Sequence, residues 1–456
     1  MWKYRPYLLL FLLVTIPIYW LNNHSIGESF TPEPIQPGQK SNYEIELYMH
    51  KEETFKADVR IEITNNSGKE WEELVFYFIP NMFTEDSLPE QDNPPFLKIQ
   101  SLTVQEEKTD YTIEEDMLKV PLKKKITPNE TVDFQMSYTF TLPDEGFRFT
   151  KHQDNYHLAQ WYPMVPTYHD GWNKQPFSFV GESYHTTFSD FIIKYNFPDE
   201  YTVVTSSDKD ENPSKNKNSI RINNVKEVFI ALLYETQVVE KNVENVNLRV
   251  FGSNEDIEFL EEILEDAASA FTYFQNTIGP YPHEQLDIIL EGIGMEYPGV
   301  VTAGSVYGNF TNKESISRIV VHEIAHQWFY GIISNDPYFD AWLDEGITEL
   351  VTSLFFYQEE EMEFVRFYER LEPMPSNMPL HKYPSNHSTY IYNQSMINLW
   401  DIFEEHGGIQ TLENFLSEYY QHYKFQEVNT EEFVRFLKYY LQIEDDSLFE
   451  QWLNIN

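Results

Sequence analysis

The sequence predicts a multi-domain α+β chain: an antiparallel β-sandwich-like domain over residues 30–251, then a mixed α/β domain over 252–456 that ends in helices. Three observations carry this. Apolar residues recur with period two as far as Phe251, the spacing turns helical from Ile257 onward, and 456 residues with 41% hydrophobic and 16% aromatic content can bury more than one core.

The elements follow in chain order. Lys3 and Arg5 precede an uncharged apolar run from Tyr7 to Leu21, so residues 1–29 read as a signal anchor or signal peptide. Ser25-Ile26-Gly27 offers a small-x-small cleavage site, while the bulky Tyr19, Trp20 and Leu21 favour retention as a membrane anchor; either way the rest of the chain is expected outside the cytoplasm. Phe55, Ala57, Val59, Ile61 and Ile63 alternate with polar residues, as do Val132, Phe134, Met136, Tyr138, Phe140 and Leu142, which gives strands with one face on a core. Shorter strands are expected at Leu74–Ile79, Phe191–Phe197, Tyr201–Thr205, Val228–Leu233 and Leu248–Phe251, separated by turn-rich stretches such as Asn65-Asn66-Ser67-Gly68.

Ile257, Leu260, Ile263, Leu264, Ala267, Ala270, Phe271 and Phe274 fall at helical spacing, with Ser253 or Asn254 as N-cap and Gly279-Pro280 as the stop. Leu286–Leu290 reads as a strand. Helices are expected over Glu314–Tyr330, closed by Gly331, and over Ala341–Phe356, with mostly helix after that.

Composition narrows the chemistry. A formal charge of −42 repels a phosphate backbone, so nucleic acid is not an expected partner. With no cysteine, disulfides and thiolate metal sites are excluded, and any metal must use His, Asp or Glu.

Such a ligand set is present. His322-Glu323-Ile324-Ala325-His326 puts two imidazoles one helical turn apart on one face, where both can reach a single zinc ion. On the second helix, Trp342-Leu343-Asp344-Glu345-Gly346 supplies Glu345 as a third ligand and leaves a fourth position for water. Glu349, one turn on, reads either as an orienter of a ligand histidine or as an ordinary surface acid.

With Gln327, Trp328 and Phe329 following the second histidine, this run and the Glu345 segment resemble the zinc signature of the gluzincin aminopeptidases related to aminopeptidase N. Gly294-Met295-Glu296 is similar to that family's Gly-Ala-Met-Glu-Asn strand, and Gly279-Pro280-Tyr281-Pro282 resembles the segment before it. The resemblance implies a thermolysin-like catalytic domain, one zinc per chain held by His322, His326 and Glu345, and peptide substrates. It implies Glu323 as general base, Glu296 with Gly294 and Met295 as the strand that grips the substrate's free amine, and Tyr392 as the donor to the developing oxyanion. Tyr392 lies in Tyr392-Asn393-Gln394-Ser395, where Gln394 and Ser395 depart from the family's Lys and Gly, and Tyr390 is the alternative. Gln160 in Ala159-Gln160-Trp161 matches the family's N-domain glutamine at the first substrate pocket. The expected activity is that of a zinc aminopeptidase. A thermolysin-like endopeptidase would share the metal without needing an amine-binding acid, and a silent peptide-binding protein is the third reading.

Overall fold

The computed structural model describes residues 29–50, 53–85, 94–144, 146–178, 181–211, 215–252, 257–304, 312–357 and 364–455. The expected signal or anchor segment therefore lies, but for Ser29, outside the described residues, as does the expected N-cap at Ser253 or Asn254. Among the described residues no helix is long and apolar enough to cross a membrane.

The alternating stretches form a seven-stranded sheet in the order Lys217–Val225, Ser189–Asn196, Gln39–Met49, Phe55–Asn65, Thr131–Phe140, Leu97–Val104, Glu107–Lys108. Phe55, Ala57, Val59, Ile61 and Ile63 are all buried on its inner face, as the period-two pattern requires. One pairing departs from the expected antiparallel sandwich: Gln39–Met49 runs parallel to Ser189–Asn196, a contact made by a long crossover rather than a hairpin. A four-stranded sheet (Tyr201–Thr205, Ile230–Tyr234, Asn155–Leu158, Phe149–His152) and a three-stranded one (Trp71–Tyr77, Met117–Ile126, Thr112–Glu114) share its core, filled by aromatic rings including Trp71, Tyr77, Tyr138 and Trp161. The strand expected to run to Ile79 stops at Tyr77, where Pro80 opens a 3₁₀ turn over Ile79–Phe83.

The later half has its own sheet, in the order Gln237–Val243, Val246–Gly252, Gln285–Ile289, Val300–Thr302. The hairpin Gln237–Gly252 thus hydrogen-bonds with the later half, ahead of the boundary expected at residue 251. Period-two spacing marks a strand but not the sheet it joins. Against this sheet pack helices α1 (Ile257–Thr277), α2 (Lys313–Ala325) and α3 (Ala341–Tyr357), followed by α4 (Ser395–Glu405), α5 (Gly408–Tyr423) and α6 (Thr430–Leu441). Their cluster includes Phe271, Phe274, Trp328, Trp342 and Trp400.

Helix α2 is shorter than its apolar spacing suggests. It ends at Ala325, with His326 at the C-cap, and Tyr330 takes a φ of 125°. Trp328 and Phe329 are buried from a turn, not from a continued helix: the Gly331 N–H bonds the His326 carbonyl at 2.9 Å and the Tyr330 N–H bonds the Ile333 carbonyl at 3.0 Å.

Two sets of contacts tie the halves together. Glu427, just before α6, stands 3.2 Å from His185 Nε2 and 3.5 Å from His169 Nε2, both from the β half. A strap from Phe30 to Ile35 lies on α6: Phe30 packs 5.0 Å from the rings of Phe436 and Tyr439 with the Arg435 guanidinium 4.3 Å over its face. The Glu33 N–H donates to Glu432 at 2.7 Å, and the Ile35 N–H to the Glu427 carbonyl at 2.9 Å.

Candidate active site

Helices α2 and α3 bring the three expected ligands to one point. His322 Nε2, His326 Nε2 and Glu345 Oε2 lie 3.1 to 3.3 Å from one another. Ligand atoms about 2.0–2.1 Å from a tetrahedral zinc stand roughly 3.3 Å apart, so the donor set fits that ion in type and spacing. It is the cluster of His and carboxylate groups with metal-holding geometry among the described residues.

The outer nitrogens are fixed as well. His322 Nδ1 donates to Glu349 at 3.1 Å, and Glu349 is also bound by Arg318. His326 Nδ1 faces the Phe329 carbonyl at 3.0 Å, Thr348 Oγ1 at 3.2 Å and Asp344 Oδ1 at 2.8 Å. A carbonyl can only accept, so the His326 proton sits on Nδ1 and the Nε2 lone pair points at the metal position. Asp344, beside a ligand in the sequence, was not singled out by sequence reasoning, although an acid in a helix with an otherwise apolar buried face was a usable signal.

Glu323 is buried beside the ligands. Burial raises its carboxyl to about 7 against the opposing charges of His322 and His326. Gly294 is what lets the neighbouring segment approach, since a Cβ there would stand 2.5 Å from Glu323 Oε1. That segment is held as a short edge: Met295 exchanges backbone hydrogen bonds with Thr302 at 3.1 and 2.9 Å, and Thr302 Oγ1 donates to the Ile293 carbonyl.

Glu296 follows, 6% exposed, on the wall of a cleft of about 880 Å³ that also holds the three ligands, Glu323, Glu349 and Tyr392. Burial pushes its carboxyl well up, and the nearby Glu182 pushes the same way. Tyr392 sits on a π-helical turn, Thr389–Gln394, just before α4, and its hydroxyl donates to Glu345 Oε1. The alternative, Tyr390, turns away and donates to the Glu372 carbonyl at 2.7 Å.

Gln160 is not brought to the cleft; it is buried at 1% exposure in the β half. The β half instead contributes Arg148 and Glu182 to the wall. Neither has a local sequence signal, because their meeting depends on packing between sheets far apart in the chain.

A partly buried His-His-Glu centre, with a glutamate between the two histidines in the sequence, is a donor set suited to zinc. Residues 262–452 match the sequence model described as the Peptidase family M1 domain, and a β half precedes them. Among curated proteins it is 24% identical to leukotriene A-4 hydrolase of Xenopus laevis, over 41% of this chain and 36% of that protein, and 31% identical to aminopeptidase Ey of Gallus gallus, over 25% and 13%. The matched part spans well under two thirds of those relatives. Among solved structures, the M1 zinc metallopeptidase from Deinococcus radiodurans aligns with a TM-score of 0.66 at 15% identity, covering 94% of this chain and 97% of that one; a mutant of it bound to a Tyr-Ser-Ala substrate aligns at 0.65. These share the fold.

Proposed function

We propose that the protein is a zinc aminopeptidase that removes N-terminal residues from peptides. The observation that carries this reading is Glu296, a buried acid that makes no ion pair among the described residues, in the same cleft as a zinc triad and one residue past an edge segment against which a peptide can lie as an added strand. A carboxylate kept from water gains most by meeting a cation, and the free α-ammonium of a peptide is one.

Zinc, when bound, acidifies a water and polarises the scissile carbonyl. Glu323, buried beside both histidine ligands without being a ligand itself, takes the proton from the attacking water and delivers it to the leaving amine. The Tyr392 phenol, which donates to Glu345 in the free site, turns its one proton to the substrate's carbonyl oxygen as that oxygen gains charge. Glu182 stands beside Glu296 and is the second acid available to the ammonium, the place Gln160 does not take. The test is hydrolysis of leucyl and alanyl amides beside their N-acetylated forms, with and without chelator. Cleavage of free-amine substrates alone supports the reading, and equal internal cleavage of blocked peptides replaces it with an endopeptidase.

The uncharged run Tyr7–Leu21 after Lys3 and Arg5 supports export with the active site outside the cytoplasm, held at the membrane by that segment. Fractionation of cells expressing the whole chain or residues 30–456 checks it: the shortened chain staying with the membrane would refute anchoring.

A further inference from the structure

His326 Nδ1 is oriented by the Phe329 carbonyl together with Asp344 and Thr348, and the direction of that carbonyl is set by the residue after it. Tyr330 holds a φ of 125°, a conformation that side chains other than glycine rarely adopt, so something must hold it there. Its own turn supplies backbone bonds only. The side chain is gripped from the β half: its hydroxyl donates to Glu227, and the Lys226 ammonium sits 3.9 Å above the ring centre. All three residues are buried, and Lys226 Nζ has no hydrogen-bond acceptor among the described residues, which leaves the ring face as its contact.

The grip is itself braced. The Tyr184 hydroxyl stands between Glu227, at 3.0 Å, and Glu182 in the cleft wall, at 2.6 Å, and shares its one proton between the two carboxyl groups. The Lys226 carbonyl accepts from Thr186 Oγ1 at 2.7 Å, and the Val228 N–H donates to the Tyr162 hydroxyl at 3.2 Å. The dipeptide therefore cannot shift without moving several buried partners.

We infer that Lys226 and Glu227 of the β half form a clamp on Tyr330 that aims the Phe329 carbonyl at His326 Nδ1, making them positioning residues for zinc binding although neither approaches the metal position. This rests on the zinc reading of His322, His326 and Glu345. Two elements far apart in the sequence thus meet at one strained residue: the β half supplies the grip and the catalytic half the ligand. Outer partners of ligand histidines typically govern metal affinity by about 10–100-fold.

The experiment measures zinc affinity of the full-length protein by competition with a chromogenic chelator, with the unfolding midpoint of the metal-free form recorded beside it. Glu227→Ala and Tyr330→Gly are expected to weaken zinc by about 10–100-fold. Glu227→Ala is the sharper of the two, because it leaves Tyr330 and its positive φ in place and removes only the grip, whereas Tyr330→Gly relieves the strain and deletes a fully buried ring as well. Glu227→Gln, which still accepts the phenol, is expected to stay within about threefold of wild type, and Tyr330→Phe, which keeps the ring under Lys226, to fall between. At saturating zinc the Tyr330 variants should recover the wild-type KM, since Tyr330 does not line the cleft, whereas a merely structural role would leave KM altered at any zinc level. Wild-type affinity in both Glu227→Ala and Tyr330→Gly overturns the clamp. If those two fail to fold, wild-type affinity in Tyr330→Phe together with Lys226→Met overturns it. A wild-type protein that binds no zinc would refute the metal reading itself, a separate outcome.

Discussion

Glu323 is buried between two ligand histidines, yet it occupies no ligand position, so its chemistry and the metal can be separated by one substitution. Glu323→Gln is expected to keep one zinc per chain, read by elemental analysis, while kcat falls by about 10²–10⁴-fold; near-normal turnover would end its role as base. Glu296 answers a different question. Removing one partner of a desolvated charge pair costs about 2–5 kcal/mol, so Glu296→Ala should lower kcat/KM on free-amine substrates by roughly 30-fold or more. An effect near unity would leave the first substrate residue gripped elsewhere. At this scale the sequence was most legible where function depends on local spacing: His322, His326 and Glu345 needed only two helices and their phase. It was least legible where a wall is built by distant strands, which is why Gln160 was expected in the cleft and Glu182 and Arg148 stand there instead.

Among the elements, the close passage of residues 292–296 across the face of α2 is the dimension on which the cleft depends. Gly294→Ala would place a methyl 2.5 Å from Glu323 Oε1, and overpacking of this kind costs about 1–3 kcal/mol. The expected result is a loss of kcat/KM of about tenfold or more with zinc content unchanged; full activity would mean that the two elements can part freely. The end of α2 shows why boundaries are hard to read. Ile324, Trp328 and Phe329 continue an apolar spacing that a helix would satisfy, but the tertiary contacts on Tyr330 favour a turn, and tertiary context overrides a periodicity only a few residues long. The π-helical turn at Tyr392 is a similar case, since a helical register locally widened leaves no mark in the apolar pattern.

For the whole molecule, the two halves meet partly through charge. Glu427 is held down to about 2: burial alone would raise it, but the His185 charge and the His169 hydrogen bond outweigh that. A carboxyl depressed on folding contributes stability above its ordinary value, about 4.5, and loses that contribution as pH falls from there toward 2, here about 3 kcal/mol in all. His169 is raised by its hydrogen bond to Glu427, so its share is complete below about 6.5 and lost as pH rises through the folded value. The contact is therefore strongest in mildly acidic solution. Urea midpoints of wild type and Glu427→Gln should differ most near pH 6 and converge only toward about pH 2; a constant difference across that span would show that the pair does not titrate with unfolding. The two-part organisation was legible because the apolar period changes once along the chain, whereas the hairpin Gln237–Gly252 crossed to the later half because its best hydrogen-bonding edge, Gln285–Ile289, had yet to appear in the sequence.

The strap over α6 has a consequence in time as well as in space. Glu33 bonds a residue 399 positions later, so during synthesis at about 5–20 residues per second it waits roughly 20–80 seconds for that partner to leave the ribosome. The β half can settle in that interval, but Phe30 has no Phe436 or Tyr439 to cover it until the last stretch emerges. A ribosome halted before α6 therefore carries a chain whose sheets protect their amides while the segment Phe30–Ile35 remains open to protease, and the strap closes only after α6 has emerged.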